Sequence, residues 1–439
     1  MFLSTTFQTE TSVILDAVQC LRRAFPGVPL VLGGLILVEL ERSCTADTFQ
    51  RLLRAWRADA YVVSAQGEEA FLDILRHDAS ELCTLDLPAT WMRRGTDYVR
   101  SARTETGLSI DCEYVRWSAF DPSSLHTVVH ARTARSCAFE CAFCSYPANQ
   151  GPLVLEDLAT LEREMEELAC VSGPRALVFV DDTFNVPQKR FRALLDVLAR
   201  FHVPWFSFYR CQFADRETVE KMAESGCKGV FLGLESIDDA VLKNMNKAAT
   251  AAAYRRGIAE LSRAGIPMHA NFIIGYPGDR AQNAPRAADF VDETGIQFVN
   301  ATPFFCSPAT PVGRSPMRER FGIEGNFWKW RHDTMTSAEA FELELEFMQM
   351  PRSSAYLSEL SARTFWTELL HYAQGWKPAE LQEVTRTYYS LCGRDHASTA
   401  LAAAPQLARL RSLLDRHPMC APPEPELVGV PAEPAIRAR

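Results

Sequence analysis

Apolar residues along the chain alternate between short continuous runs and longer segments with helical spacing. Residues 29–34 form an apolar run that ends in two glycines, and a helical pattern over residues 12–25 precedes it. A second helix and strand follow at residues 49–56 and 60–63. Short apolar runs bounded by glycine indicate buried strands, and alternating strands and helices pack as parallel sheets. We therefore predict a partial Rossmann-like α/β domain over residues 1–85.

The alternation continues with longer units over residues 126–310. The apolar runs of strand character cover residues 127–129, 176–180, 205–209, 229–234, 268–274 and 298–304, with helical segments between them. Six such strands predict an α/β architecture, a partial (β/α)6 TIM-like barrel. In barrels of this kind the reactive residues gather at the carboxyl ends of the strands.

The remaining segments carry weaker patterns. Residues 86–125 contain scattered proline and glycine between short apolar pieces, which predicts an irregular linker. Residues 311–415 predict a mainly helical C-terminal region, with one helix capped by residues 336–339 and another around residues 366–372. Residues 416–439 are rich in proline and alanine, and we expect them to be disordered.

Composition narrows the classes of partner. The chain has 439 residues, 47% of them hydrophobic, which is enough for two or three domains with a large core. Its 46 basic and 55 acidic residues give a net charge of −9 without a basic run, so we expect a small-molecule substrate and no nucleic acid. No apolar run approaches the ~20 residues that span a bilayer, and the start does not resemble a signal peptide. We expect no membrane association and a cytoplasmic location, where thiols stay reduced.

Three cysteines, Cys137, Cys141 and Cys144, follow the first barrel strand with the spacing C-x3-C-x2-C. Three thiolates so close together can hold three corners of a cubane iron–sulfur cluster, and the fourth iron then lacks a protein ligand. A zinc knuckle is the first alternative, but structural zinc needs four ligands, and His126 and His130 precede the loop on the strand. A chance cluster is the second alternative, because the chain has 13 cysteines.

This spacing, with Phe143 directly before the last cysteine, resembles the radical S-adenosylmethionine (radical SAM) superfamily. The resemblance implies that the three cysteines hold a 4Fe-4S cluster and that the amino and carboxylate groups of S-adenosylmethionine chelate the fourth iron. One electron from the reduced cluster then breaks a sulfonium C–S bond, usually yielding a 5′-deoxyadenosyl radical. An electron donor such as flavodoxin or ferredoxin is implied as a partner. The protein supplies placement and electrostatics for this chemistry.

Charged residues end the second and third predicted barrel strands. Asp181 and Asp182 are placed to receive the amino group of S-adenosylmethionine, or else to cap a helix or pair with a barrel helix. Arg210 can make a two-point contact with the methionyl carboxylate, or else form a buried ion pair.

The fourth and fifth strands end in further candidate residues. Residues 233–236 resemble the fourth-strand signature of radical SAM enzymes with such amino-terminal domains, which implies that Glu235 lies near the ribose or the substrate. Backbone groups of Asn271, Ile273 and the glycine turn at residues 275–279 can hydrogen-bond adenine, as the resemblance to the family implies, or else Gly275 and Gly278 are plain turn residues.

Cys306, after the sixth strand, joins Glu235 as a candidate catalytic residue, either as a radical relay or as a substrate thiolate. A lone cysteine is usually a small hydrophobic residue, which is the alternative. The aromatic run at residues 325–335 either closes over the substrate or forms a cluster at the entry to a helix.

The amino-terminal domain also resembles the second half of the cobalamin-binding domain that precedes many radical SAM enzymes. Its first half is missing, and the motif Asp-x-His-x-x-Gly, which supplies a cobalt-ligating histidine in many members, occurs nowhere in the chain. Either cobalamin binds without a protein lower ligand, or the domain is a structural platform without cofactor.

Our leading hypothesis is a cobalamin-type radical SAM enzyme that alkylates a small molecule in natural-product biosynthesis, by methyl transfer above all. Residues 145–147 and 330–335 resemble the phosphorus methyltransferase branch. The first alternative is a cobalamin-independent enzyme that abstracts hydrogen or transfers an aminocarboxypropyl group. The second is a metal-stabilised binding module without catalytic activity.

Overall fold

The structure is a computed structural model. It describes residues 1–5, 11–105, 107–112, 114–172, 176–357 and 375–392, and six isolated positions between 405 and 415. Within these residues a small mixed sheet lies at the amino terminus and a larger parallel sheet forms the centre of the chain.

The amino-terminal unit contains, in chain order, β1 (Phe2–Ser4), α1 (Thr11–Ala24), β2 (Val31–Gly33), α2 (Leu35–Ser43), α3 (Ala46–Trp56), β3 (Ala60–Val62), α4 (Glu68–Leu75), β4 (Thr90–Arg94) and β5 (Asp97–Arg100). Its sheet has the order β1-β2-β3-β4-β5, parallel among the first three strands and antiparallel beyond them. Ile14 of α1 packs with Leu53 and Trp56 of α3 in one cluster, and Ala70 of α4 belongs to a separate cluster. The sheet is therefore covered by helices on both faces.

The irregular structure that we expected from residue 86 begins only after Arg100. β4 and β5 form a hairpin that adds two strands to the amino-terminal sheet, with Met92 opposite Ala60. Gly95 turns the chain with φ +65° between the two strands. The hairpin lies at the edge of the sheet, where charged residues such as arginine are common. These charged positions interrupt the apolar pattern from which a strand is predicted. Between Arg100 and the barrel, the described residues contain short 3₁₀ turns.

The barrel contains, in chain order, β6 (Val128–Ala131), β7 (Ala134–Arg135), α5 (Tyr146–Gln150), β8 (Val154–Leu155), α6 (Leu158–Ala169), β9 (Ala176–Phe179), α7 (Gln188–Leu198), β10 (Trp205–Tyr209), α8 (Arg216–Glu224), β11 (Cys227–Glu235), α9 (Asp239–Asn244), α10 (Ala251–Arg263), β12 (Met268–Ile274), α11 (Asn283–Thr294) and β13 (Phe298–Pro303). The order β6-β9-β10-β11-β12-β13 is parallel throughout. The predicted partial TIM-like barrel is confirmed.

Alternate residues of the barrel strands face opposite sides of the sheet. Leu232 and Ala270 face outward, where they join helix residues such as Leu194 in the main hydrophobic core. Val178 and Phe206 face inward and pack in a separate small cluster. The parallel strands thus have a helix-covered outer face and an inner face that lines the lumen.

The C-terminal region contains α12 (Met317–Arg320), β14 (Glu324–Asn326), β15 (Lys329–His332), β16 (Met335–Thr336), α13 (Ser337–Phe347), β17 (Ala355–Tyr356) and α14 (Pro378–Cys392). Thr336 and Glu339 form the predicted capping box of α13. The region is less helical than expected, because residues 324–336 form a three-stranded antiparallel sheet and β17 extends the barrel sheet. The predicted helix at residues 366–372 and the tail from residue 416 lie outside the described residues. No helix of the described ranges combines the length and apolar character needed to cross a bilayer.

Gly257 lies on α10 where this helix crosses the segment after β10. A Cβ atom at this position would lie 1.8 Å from the carbonyl oxygen of Cys211, so the helix would have to move outward. We expect Gly257→Ala to lower the free energy of unfolding by about 1–3 kcal/mol, the usual cost of overpacking, in urea denaturation. Gly33→Ala is the matched control, because a Cβ there would meet its nearest heavy atom at 3.8 Å. Equal losses in the two variants would contradict the close approach.

Candidate active site

The cysteine loop lies at the carboxyl end of the barrel and is fixed from two sides. The Ala142 N–H donates to the Met245 carbonyl at 2.8 Å, and the Val312 N–H donates to the Ala142 carbonyl at 2.9 Å. The Asn246 amide donates to the Glu140 carbonyl at 2.8 Å. The chain after α9 and the chain after β13 therefore hold the loop in place through its backbone.

Two of the three thiols contact polar side chains from neighbouring strands. Cys137 Sγ and Thr183 Oγ1 share a hydrogen bond of 3.3 Å. Arg210 Nη2 donates to Cys141 Sγ at 2.9 Å. Hydrogen bonds to sulfur and low solvent exposure are the means by which proteins tune iron–sulfur clusters.

The third thiol, Cys144, is half-buried at the start of α5. Its sulfur accepts the Tyr146 N–H at 3.4 Å. Burial raises the pKa of Cys144 to about 12, so a metal that binds the thiolate must displace a proton here.

The donor set of this loop suits an iron–sulfur cluster. A cubane distributes three thiolates over three iron atoms, whereas a zinc site draws four ligands to one ion. In the part of the chain that the structure describes, no three His, Cys, Asp or Glu side chains are grouped to hold a single metal ion. Three thiols from one loop, with nitrogen donors directed at two of the sulfurs, fit the ligation inferred from the spacing.

Arg210 is buried and committed to the cysteine loop. Besides Cys141, its guanidinium donates to the Lys247 carbonyl at 3.0 Å and lies 3.5 Å from the ring centroid of Phe139. The Asn185 amide oxygen accepts the Arg210 N–H at 3.0 Å and fixes the backbone. The structure thus places a cation against the Cys141 thiol, a position that the sequence did not indicate.

Asp181 and Asp182 differ in their surroundings. The Asp181 carboxylate accepts the Thr133 N–H at 3.0 Å and the Thr133 hydroxyl at 3.1 Å. Burial raises the pKa of Asp181 to about 6 against these hydrogen bonds, and the residue is only 3% exposed. Asp181 therefore anchors the start of the cysteine loop, and its predicted role in binding S-adenosylmethionine stays a prediction.

Solvent reaches the Asp182 side chain, but the protein atoms packed around its carboxylate partly desolvate it. This desolvation raises the pKa of Asp182 to about 7, and the charge of Asp181 is a second cause. That combination is expected for a carboxylate in the wall of a concave site. A hydrogen bond from Tyr146 opposes the shift and connects Asp182 to the segment after Cys144. Of the two acidic residues, Asp182 is the one whose side chain is exposed.

Glu235 ends β11 in a left-handed backbone conformation, with φ +64°. The register with β12 shifts between Gly233 and Glu235, which turns the carboxylate into the lumen. There Glu235 Oε1 accepts from Lys247 Nζ at 3.1 Å, and Oε2 accepts from Asn271 Nδ2 at 2.8 Å. A strained non-glycine residue with a buried ion pair is characteristic of functional sites.

The hydrogen bonds of Glu235 continue down the lumen wall. Asn300 Nδ2 donates to Asn271 Oδ1 at 2.8 Å, and His269 Nε2 donates to Asn300 Oδ1 at 3.1 Å. A carboxylate only accepts hydrogen bonds, so each donor in this series of hydrogen bonds points toward Glu235. We call Lys247, Glu235, Asn271, Asn300 and His269 the lumen ladder. The sequence analysis did not single out Lys247, Asn300 or His269. For His269 there was a usable signal, because it alternates with Asn271 as a polar residue on a buried strand.

The turn after β12 is held by residues on both sides. Gly275 N–H donates to Asp279 Oδ2 at 2.8 Å, and its carbonyl accepts from His332 Nε2 at 2.9 Å. Gly275 has φ +82°, and a Cβ there would lie 2.8 Å from the Trp330 ring. The sheet of residues 324–336 therefore packs against the turn, and closure of the aromatic run over a substrate stays a prediction. Ile273 precedes the turn and is half-buried on the lumen side of β12.

Cys306 is fully buried beside this small sheet. Its backbone pairs with Phe327 through hydrogen bonds of 3.0 and 2.7 Å. Burial raises the pKa of Cys306, and a hydrogen bond from Arg318 opposes the shift. These contacts describe a packed thiol, and its catalytic role stays a prediction.

The amino-terminal unit contacts the segment that follows the cysteines. Arg42 of α2 donates to the Ala148 carbonyl at 2.6 Å and to the Asn149 amide oxygen at 2.7 Å. Gln150 donates to the Ala65 carbonyl, in the loop after β3, at 3.1 Å. The carboxyl edge of the amino-terminal sheet, where such sheets bind ligands, is thus turned toward the cysteine loop.

The Lys247–Glu235 pair generates a stability prediction. Both side chains are less than a tenth exposed, at 6% and 9%. Lys247→Met leaves the Glu235 carboxylate without its counter-ion, and we expect the free energy of unfolding to fall by about 3–5 kcal/mol in urea denaturation. The double variant Lys247→Met/Glu235→Gln should recover part of this loss, because its carboxylate is also gone. A double variant no more stable than Lys247→Met would contradict the pairing.

Comparisons with known proteins agree with this geometry. The radical SAM superfamily profile matches residues 132–291. A bacteriochlorophyllide d C-12(1)-methyltransferase of Chlorobaculum tepidum is 26% identical over 211 residues, 46% of this chain and 44% of that protein. An uncharacterised methyltransferase of Pyrococcus horikoshii is 27% identical over 183 residues, 39% of each chain. The chain thus spans less than half the length of these curated relatives.

Solved structures show the same fold at low sequence identity. The radical SAM methyltransferase TsrM of Kitasatospora setae, with cobalamin and a 4Fe-4S cluster bound, gives a TM-score of 0.56 at 18% identity, over 69% of this chain and 62% of that one. The cobalamin-dependent radical enzyme OxsB, with aqua-cobalamin and S-adenosylmethionine bound, gives 0.53 at 12% identity, over 95% of this chain and 62% of that one.

Proposed function

Residues 132–291 form a radical SAM domain, and on that premise we propose that the chain is a radical SAM enzyme that methylates a small molecule. The observation that carries the proposal is the fixed position of three thiols at the carboxyl ends of the barrel strands. Around them lie the Arg210 cation, which contacts Cys141, and two groups proposed to meet a bound cosubstrate, the Asp182 carboxylate and the Glu235–Lys247 pair.

Cys137, Cys141 and Cys144 are the proposed ligands of a 4Fe-4S cluster. When bound, the cluster supplies the electron for sulfonium cleavage and an open iron for S-adenosylmethionine. Arg210 then acts on the sulfur of Cys141, since a donated hydrogen bond and a nearby positive charge stabilise the electron-rich state. We propose this in preference to the contact with the methionyl carboxylate that the sequence suggested, because the guanidinium contacts Cys141 and Phe139 of the loop and the Lys247 carbonyl.

Four residues are proposed to bind the cosubstrate. Asp182, in the concave wall beside Cys144, can accept hydrogen bonds from the methionyl ammonium group. Glu235 can accept from a ribose hydroxyl while Lys247 balances its charge. The backbone of Ile273, together with Asn271, lies next to the fixed turn where adenine is expected.

Methyl transfer is proposed from the relatives, which include methyltransferases that act on bacteriochlorophyllides. Cobalamin is proposed as a second cofactor, because the carboxyl edge of the amino-terminal sheet faces the cysteine loop through Arg42 and Gln150. Bound cobalamin supplies a cobalt centre that can carry a methyl group. With no Asp-x-His-x-x-Gly motif in the sequence, it would bind without the usual histidine ligand.

An external reductant is also proposed, a flavodoxin or ferredoxin, since the cluster has to receive an electron for each cleavage. Such donors and free thiols are found together in the cytoplasm.

The proposal predicts a bound corrinoid and a specific product of S-adenosylmethionine. Protein purified anaerobically from cells supplied with hydroxocobalamin should carry the visible absorption of a corrinoid. After reconstitution with iron and sulfide, turnover with reductant should release S-adenosylhomocysteine, the product of methyl donation. Release of methylthioadenosine alone would indicate aminocarboxypropyl transfer, and 5′-deoxyadenosine without bound corrinoid would indicate hydrogen abstraction. Either of these results would contradict methyl transfer through cobalamin.

A further inference from the structure

Five large apolar side chains form a strip that solvent reaches beside the small antiparallel sheet. Phe327 and Phe341 are each 40% exposed, and Leu345 is 63% exposed. Phe305 and Trp328 are half-buried. We call these five residues the aromatic strip. Single exposed apolar residues are common on proteins, but a contiguous patch marks a surface that contacts another molecule.

Ring contacts make the strip continuous. The centroid of the Phe305 ring lies 5.6 Å from that of Phe327 and 4.7 Å from that of Trp328. The Trp328 and Phe341 centroids are 5.9 Å apart. Leu345 follows Phe341 by four residues on α13, so both lie on one face of this helix. The strip therefore runs from the β14–β15 hairpin to the outer face of α13.

The tip of the hairpin presents its two rings at a conformational cost. β14 and β15 pair Asn326 with Lys329, so Phe327 and Trp328 form the two-residue turn. Phe327 has φ +56°, a left-handed conformation that hairpin turns usually give to glycine or asparagine. Its N–H and its carbonyl both bond to the Cys306 backbone, which holds the turn in this conformation. An aromatic residue kept at such a position is expected where its side chain has a function.

The two halves of the strip carry opposite charges. On the hairpin half, Lys329 is exposed, and the Arg318 guanidinium donates to the Gly325 carbonyl at 2.6 Å. On the helix half, Glu342 and Glu346 are exposed. In the part of the chain that the structure describes, none of these four charged side chains has an ion-pair partner. The hairpin half is therefore basic and the helix half is acidic.

The other charged groups of the two elements are already bonded within the chain. Arg331 pairs with Glu324 at 2.6 Å across the hairpin. On α13, Glu339 belongs to the capping box, and Glu344 Oε1 accepts from the Tyr356 hydroxyl at 3.0 Å. These groups leave the basic and acidic character of the two halves unchanged.

From the apolar centre and the oppositely charged halves, we propose that the aromatic strip is an interface between two copies of this chain. A twofold axis through the strip places the basic half of one copy against the acidic half of the other, and every contact then occurs twice. A partner surface of uniform charge would be repelled by one of the two halves, whereas a second copy matches both. The interface is independent of the proposed methylation.

The oligomeric state in solution tests the proposal. The full chain, reconstituted anaerobically with iron and sulfide, is studied by sedimentation velocity at micromolar concentration. We expect a dimer with twice the chain mass of 49.2 kDa. Because salt screens the contacts between the charged halves, raising the ionic strength from about 0.05 M to about 0.5 M should raise the dissociation constant about tenfold.

Truncation of one ring locates the interface. Phe341→Ser removes a ring from the centre of the strip in both copies, and we expect it to raise the dissociation constant about a hundredfold. Phe71→Ser is the matched control, because Phe71 is a helical phenylalanine that is 41% exposed on α4, outside the strip. We expect this control to leave the dimer unchanged.

Exchange of the charges tests the twofold arrangement. Lys329→Glu makes the hairpin half less basic, and Glu342→Lys makes the helix half less acidic, so we expect each to raise the dissociation constant about tenfold. The double variant Lys329→Glu/Glu342→Lys has opposite charges at these two positions again and should recover most of the affinity. A folding defect in the single variants would not be repaired in this way.

Several outcomes would overturn the assignment. A wild-type monomer at micromolar concentration would exclude a second copy and assign the strip to a different occupant. A dimer that persists unchanged in Phe341→Ser, or that is lost equally in Phe71→Ser, would place the interface elsewhere. A double charge variant no tighter than the single variants would contradict the twofold arrangement. None of these measurements needs S-adenosylmethionine or turnover, so their failure is distinguishable from failure of the proposed methylation.

Discussion

The position of the cysteine loop depends on backbone hydrogen bonds to two distant parts of the chain. Ala142 lies between Cys141 and Cys144, and its N–H and carbonyl bond to residues after α9 and after β13. Those residues are held by the fourth and sixth barrel strands. A loop of three thiols is therefore held in place by residues that follow the strands of the parallel sheet, which is the precondition for an iron–sulfur site with one open corner.

Lys247 connects this loop to the interior of the barrel. Its carbonyl accepts from the Arg210 guanidinium that contacts Cys141, and its ammonium pairs with Glu235 at the top of the lumen ladder. Buried polar groups are costly unless each has a partner, and here the partners are arranged in one direction toward a carboxylate. Lys247 thus contacts both the residue that bonds to the cysteine loop and the polar side chains of the lumen.

The sequence was sufficient to predict the barrel and to single out the three thiols, because both features have signals within short stretches of the chain. Apolar runs mark buried parallel strands, and the cysteine spacing lies within eight residues of one loop. The β4–β5 hairpin and the small sheet at residues 324–336 were missed, since their edge strands carry many charged residues and depend on partners distant in the chain. Asp181 and Asp182 are adjacent and chemically identical, so only the fold could show that Thr133 donates to the first and Tyr146 to the second. The same holds for Arg210, whose contact with Cys141 joins residues 69 positions apart.

The central claim is that three thiols hold a cluster whose remaining iron is open to S-adenosylmethionine. Its most direct test is the electron paramagnetic resonance spectrum of the reduced, reconstituted protein before and after S-adenosylmethionine is added. Cys141→Ala is compared with Cys227→Ala, because both cysteines are 6% exposed and only the first belongs to the loop. The account predicts a 4Fe-4S signal that shifts on addition in wild type and Cys227→Ala, and that is lost in Cys141→Ala. An unchanged signal in wild type, or full iron content and the same shift in Cys141→Ala, would contradict it.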